Sequence, residues 1–190
     1  MAELFSHEDD YCQIELLPIT NEPFCLKQTG EIDKFAEDHR DGAGFTDMYV
    51  RQENPHSLTE LAIDRSELKN AIGNAADYHN KVLTGYGSHR ETCRNTMAFA
   101  ATENVILFGE FNKSNIISNT WLTLNTLTTL DLDRARVLIS RMLKWELLLV
   151  DWGWSRCIRI ADTVALDEYL KKRLDVFSEI EREYQRQKDG

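Results

Sequence analysis

Thr126–Ile160 reads TLTTLDLDRARVLISRMLKWELLLVDWGWSRCIRI. Its order suggests the end of a short helix, a tight turn, an Arg-bearing amphipathic helix, and two strands joined through Gly153. Just upstream, Ile116–Leu130 is rich in Thr, Ile, Leu and Trp, a composition that favours strand. Its apolar residues Ile117, Trp121, Leu124, Leu127 and Leu130 step by three and four, and that spacing predicts a helix. Downstream, Thr163–Gln187 carries Leu166, Leu170, Leu174, Phe177, Ile180 and Tyr184 on one stripe. This is a long amphipathic helix, capped by Asp162 or Thr163.

The earlier part of the chain has a different texture. Tyr11–Leu17 alternates, with Cys12, Ile14 and Leu16 on one face and Tyr11, Gln13 and Glu15 on the other, a half-buried strand ending at Pro18. Phe24–Gln28 reads as a second short strand, and Glu31–His39 as one or two helical turns. Asp41–Gly44 (DGAG) breaks the chain. Phe45–Gln52 alternates again, with Thr46, Met48 and Val50 opposite Phe45, Asp47, Tyr49 and Arg51. Leu58–Ile63 is expected as a fourth strand. From Ser66 the period turns helical, predicting a helix over Glu67–Val82. After Gly85-Tyr86-Gly87-Ser88, a second helix is expected over His89–Thr102, capped by Ser88 with Glu91 as its capping-box partner. Val105–Phe108 suits either an extension of that helix or a strand. The expectation is therefore an α+β chain. Residues 1–63 would form an acidic, strand-rich antiparallel region, and residues 64–190 a mainly helical region closed by the terminal helix 163–187.

Charge is segregated along this chain. Residues 1–70 hold 16 Asp/Glu against 6 Lys/Arg, whereas 71–130 balance at 4 against 4 and 131–190 at 12 against 12. The whole net charge of -10 thus lies in the first 70 residues. Uniform acidity would argue against nucleic acid, since phosphate contacts need local Lys/Arg; segregation leaves room for them. The four cysteines, Cys12, Cys25, Cys93 and Cys157, form no CxxC pair, so they are expected as free thiols in a reducing cytoplasm. MAELFSHEDD has no apolar core of a secretory signal. The apolar run Leu147–Val150 is too short to span a bilayer, so no membrane partner is expected.

TLDLDRARV (Thr129–Val137) resembles the turn and recognition-helix start of winged helix-turn-helix proteins. The resemblance extends over about 115–162. It implies Leu130 and Leu132 as buried turn residues, Asp133 as the N-cap, and Val137, Ile139, Met142 and Leu143 toward the core. Leu147–Trp152 and Ser155–Ile160 would be the wing strands. Arg134, Arg136 and Arg141 would enter the major groove, where the Arg fork can bond guanine or phosphate. Arg156 would touch the backbone near the wing tip.

No catalytic signature, metal-ligand spacing or phosphate loop stands out, so no catalytic residue, metal or cofactor is expected. The five histidines, at 7, 39, 56, 79 and 89, do not pair at ligand spacing. Two functions from different classes follow. One is an intracellular DNA-binding regulator, a dimer through the terminal helix on paired half-sites. The other is a non-enzymatic inhibitor that docks a basic protein partner onto the acidic first 70 residues, as a toxin-neutralising immunity protein would.

Overall fold

The computed structural model describes residues 4–42, 44–85, 89–125 and 128–188, without the side chains of 181, 183–185 and 187. The expected Ser88 cap, Leu127 and the Tyr184 side chain lie outside the described residues. In chain order the elements are β1 (Leu4–Phe5), β2 (Ile14–Pro18), α1 (Glu22–Asp38), β3 (Arg40–Asp41), β4 (Gly44–Phe45), α2 (Arg65–Ile72), β5 (Asp77–His79), β6 (Val82–Thr84), β7 (Glu91–Thr92), β8 (Thr96–Ala100), β9 (Val105–Phe111), β10 (Ile117–Leu124), α3 (Thr129–Ser140), β11 (Leu147–Asp151), β12 (Arg156–Arg159) and α4 (Thr163–Lys188). Among the described residues, no helix is long and apolar enough to cross a membrane.

Seven strands form one antiparallel sheet in the order β12-β11-β2-β10-β9-β8-β5. β8, β9 and β10 follow one another as hairpins, but β2 enters between β10 and β11. Because β10 and β11 are each antiparallel to β2, they run parallel to one another. A parallel connection needs a crossover rather than a turn, and α3 supplies it. This architecture replaces the expected small N-terminal sheet followed by a mainly helical part: the strand at 14–18 is central to a sheet built mostly from residues after 76.

Both faces of the sheet are covered. On one, Ile14, Leu16, Met97, Phe99, Leu107, Leu122, Leu124, Leu147 and Leu149 meet Leu68 and Ile72 of α2, Ala135, Leu138 and Ile139 of α3, and Leu166 and Leu170 of α4. On the other, Leu17, Leu148, Val150 and Trp152 lie under Cys25 of α1, while Val82, Ala98, Ile106, Phe108 and Trp121 pack together farther along. A strand covered on both sides reads as a continuous apolar run, as in Leu147–Val150 and Val105–Phe108. This settles Val105–Phe108 as strand. It also explains why Ile117–Leu124 mimicked a helix. With apolar residues of both parities present, and a register shift between Ile117 and Asn119, steps of three and four arise without helical geometry.

The segment expected as the first helix of the helix-turn-helix is instead the strand β10. The expected turn, Thr129–Leu132, is the first turn of α3. Thr128, not Asp133, caps it: the Asp131 amide donates to Thr128 Oγ1 at 3.1 Å, and the Thr128 amide to Asp131 Oδ2 at 3.1 Å. Leu132, Ile139 and Met142 are buried, whereas Leu130, Val137 and Leu143 are exposed. Other expectations change for local reasons. Phe24–Gln28 belongs to α1, whose first turn accommodates Pro23. Leu58–Leu61 is a 3₁₀ turn closed by a Ser57–Glu60 capping box. Of the Phe45–Gln52 region only Phe45 pairs as strand, at the end of β4. The helix expected to reach Val82 stops at Ile72, where Gly73 takes φ 55°, ψ -124°, a conformation that favours glycine. His89–Thr102 gives strands instead of a helix, because Met97 and Phe99 face one side of the sheet and Ala98 the other.

The terminal helix runs Thr163–Lys188, close to expectation, and Leu166 and Leu170 of its stripe are spent on the core of its own chain. Arg173 is not solvated but 7% exposed: it donates to Asp151 Oδ2 at 2.6 Å and to the Leu124 carbonyl at 3.0 Å. Tyr169 Oη also donates to Asp151 Oδ2, at 2.7 Å. This buried cluster ties α4 to the ends of β10 and β11.

Asp131 also joins α3 to the β8–β9 turn, accepting from Thr102 Oγ1 at 2.7 Å and Asn104 Nδ2 at 3.3 Å. Burial disfavours its charge, but the bonds from Thr102, Thr128 and Asn104 outweigh that and hold its carboxyl below the usual range. Its ionisation therefore stabilises the fold fully above the unfolded carboxylate pKa of about 3.9, and that contribution fades as pH falls through the lower folded value. Asp131→Asn is expected to cost about 1–3 kcal/mol at neutral pH, since amide hydrogens would face existing donors. The gap from wild type should narrow as pH drops below about 4, read by urea denaturation across a pH series.

Candidate functional site

Glu15 is the second residue of β2, an interior strand, and is 5% exposed. Its strand neighbours are Trp121 on β10 and Val150 on β11. A carboxylate at such a place must be bonded to stay charged. Two side chains from distant parts of the chain do this: Trp152 Nε1 donates to Glu15 Oε2 at 2.6 Å, and Arg51 Nη1 donates to the same oxygen at 3.0 Å. The Arg51 guanidinium lies over the Trp152 ring at 4.2 Å, and its Nη2 donates to the Cys12 carbonyl at 3.4 Å.

Arg51 belongs to the irregular segment 46–57, and the Glu15 contact is one of several that fix it. Tyr49 Oη donates to Glu31 Oε2 at 3.1 Å and to Gln28 Oε1 at 3.3 Å, both on α1. The Gln52 amide donates to the same Gln28 oxygen at 3.3 Å. Phe35 sets its ring edgewise to Tyr49, with centroids 5.5 Å apart, and stacks on His39 at 4.2 Å. Fully buried Asn21 grips the His56 backbone twice, donating from Nδ2 to its carbonyl at 2.8 Å and accepting its amide at Oδ1 at 3.0 Å.

The alternation expected over Phe45–Gln52 is present at its centre. Tyr49 and Arg51 turn inward to polar partners, and Met48 and Val50 turn outward, each 79% exposed. Phe45, at the start of the loop, is 59% exposed. Around them Asp33, Glu37, Asp38, Asp41, Asp47 and Glu53 are exposed and form no ion pair among the described residues. The charge asymmetry of the sequence thus has a structural address on α1 and the loop after it. Apolar side chains held outward on a fixed loop, with carboxylates nearby, suit a partner surface that is basic around an apolar centre.

The arginines expected to read DNA are dispersed. Arg134 and Arg141 are exposed, seven residues apart along α3 and its C-terminal cap. Arg136 turns toward α4, bonding Asp133 at 2.8 Å and also Asp167. Arg156 is exposed on the edge strand β12. Glu15 was missed because a polar residue inside an apolar run reads as outward-facing until its distant partner is known, and Asn21 and Gln28 because they lie in polar stretches that give no sign of burial. The visible signal was the Tyr49/Arg51 parity. Comparison with protein-family models, curated proteins and solved structures finds no match to this chain.

Arg51→Ala should leave Glu15 buried beside Trp152 alone. The expected cost is about 3 kcal/mol, the low end for breaking a buried pair because Arg51 keeps some contact with solvent. Denaturant titration would measure it, and limited proteolysis should show new cleavage within 44–57. Met48→Ala, which removes only an exposed side chain, should stay within about 0.5 kcal/mol of wild type.

Proposed function

We propose that this protein is a non-enzymatic binding module that docks a basic protein partner on the surface formed by α1 and the loop 44–57. The observation that carries the reading is the pair Met48 and Val50, each 79% exposed on a loop that Arg51, Tyr49 and His56 fasten to the body of the protein. Exposing apolar side chains on a mobile loop is ordinary; holding them out on a fixed one spends binding entropy in advance. The nearby unpaired carboxylates would steer a cationic partner and set its orientation. Neutralising a basic toxin in the cytoplasm is one activity of this kind. It requires shape and charge at the surface and no reacting group.

Nucleic-acid binding is the competing reading. It would rest on Arg134 and Arg141 of α3, which are exposed and have no ion-pair partner among the described residues. Four forms of the protein separate the two: wild type, Met48→Ala/Val50→Ala, Asp38→Lys/Asp41→Lys/Asp47→Lys, and Arg134→Ala/Arg141→Ala. Each would be immobilised for capture from source-cell lysate at low salt and, separately, titrated against a labelled random duplex. The docking reading expects a stoichiometric basic protein on wild type and on the arginine variant. The apolar variant should lose at least tenfold in affinity, equivalent to 1.4 kcal/mol, and the charge-reversed form should lose capture. Duplex binding by wild type that is abolished in the arginine variant, with capture unaffected by the loop variants, would overturn it.

A further inference from the structure

Cys25 and Cys157 stand 132 positions apart in the sequence, yet the fold packs them into one cluster between α1 and β12. Cys25 lies in α1 on the side facing the sheet and is 0% exposed. Cys157 lies in β12, the edge strand, and is half-buried. Both pack in the cluster of Leu17, Leu148, Val150 and Trp152. Beside them Arg159 of β12 donates from Nε to Glu22 Oε1 of α1 at 2.7 Å, so helix and strand are already clasped at this point. All four cysteines are free thiols in this structure. Cys12 accepts from Asn119 Nδ2 rather than meeting a second cysteine.

The two thiols are not equivalent. The neighbouring Cys25 thiol, helped by the Arg159 charge, holds the Cys157 thiol below its usual range despite burial and the neighbouring Glu22. The Cys157 thiol beside it, together with burial, pushes Cys25 up. The thiolate is the reacting form, so Cys157 is the attacking sulfur, and its place on an edge strand gives it an approach that Cys25 lacks.

We propose that Cys25 and Cys157 form an oxidisable dithiol that a hydroperoxide converts to a disulfide, stapling α1 to β12. The Cys157 sulfur attacks one peroxide oxygen, the O–O bond breaks, and the departing hydroxide leaves as water with the thiol proton, giving a sulfenic acid. The Cys25 sulfur then attacks the Cys157 sulfur. The S–O bond breaks, and the hydroxyl leaves as a second water with the Cys25 proton. The two sulfurs together give up two electrons, and one hydrogen peroxide is reduced to two waters. In a reducing compartment such a bond is transient, which makes it a regulatory modification rather than a structural one. α1 also carries part of the docking surface, so the staple's bearing on partner binding rests on the preceding reading, whereas its formation does not.

The test uses the full chain, reduced and then treated with equimolar hydrogen peroxide, followed by alkylation, intact mass and peptide mapping. Wild type is expected to lose two of its four alkylatable thiols and the mass of two hydrogen atoms. A single Cys25–Cys157 linked peptide should appear, and thioredoxin-type dithiol reductant should reverse it. Cys12→Ser/Cys93→Ser should behave as wild type, and Cys157→Ser should give no linked peptide. Oxygen addition without a linked peptide, or a link through Cys12 or Cys93, would overturn the proposal. Since no partner is present, a failure of docking leaves this result untouched.

Discussion

A carboxylate in the middle of a sheet sets the terms for much of this molecule. Glu15 places a carboxyl group on an interior strand, shielded from water, and the chain meets that cost from two directions. Trp152 reaches it from just past the end of β11, and Arg51 from the loop after α1. An apolar residue at 15 would pack without partners. The carboxylate instead makes the position of the 46–57 loop a condition of a satisfied core. Specificity of arrangement, more than added stability, is what such a buried pair confers.

The second organising constraint is topological. β2 separates β10 from β11, so the chain must cross over between two parallel strands, and α3 is that crossing. The Thr128–Asp131 capping box starts the helix where β10 ends, and Thr102 and Asn104 hold the same carboxylate from the β8–β9 turn. Farther on, Asp151 gathers Tyr169 and Arg173 so that the first half of α4 lies on the sheet. Three acidic side chains, at 15, 131 and 151, are all buried. Each joins elements distant in sequence.

How much of this was legible depends on whether a residue's partner was local. The terminal helix declared itself through Leu166, Leu170 and Leu174, and the β11–β12 hairpin through its apolar run and following turn. Both patterns are complete within a few residues. Ile117–Leu124 was misread because burial on both faces erases the period that distinguishes strand from helix. Once β10 is a strand, the likeness of Thr129–Val137 to a recognition-helix start loses the first helix it needs. In the candidate site, the alternation of Met48, Tyr49, Val50 and Arg51 was visible, but which parity faced inward was not. That was decided by Glu15, Gln28 and Glu31, none of them adjacent in the chain. The Cys25–Cys157 contact left no trace in spacing at all.

The place of β2 also bears on how the chain reaches this structure. Its five residues, all buried in the finished sheet, are made early, while both neighbours come more than 90 residues later. Until Ile117–Leu124 and Leu147–Asp151 exist, Ile14–Pro18 has two bare edges and no sheet to join. The β8–β10 hairpins can zip locally, yet the central joint closes only when distant segments meet, a costly search that slows folding. An apolar strand kept waiting is a template for mispairing with other chains. The Glu15 carboxylate, costly in the completed core, tempers that hazard while the strand stands alone, since a charge in the middle of an apolar segment opposes edge-to-edge association.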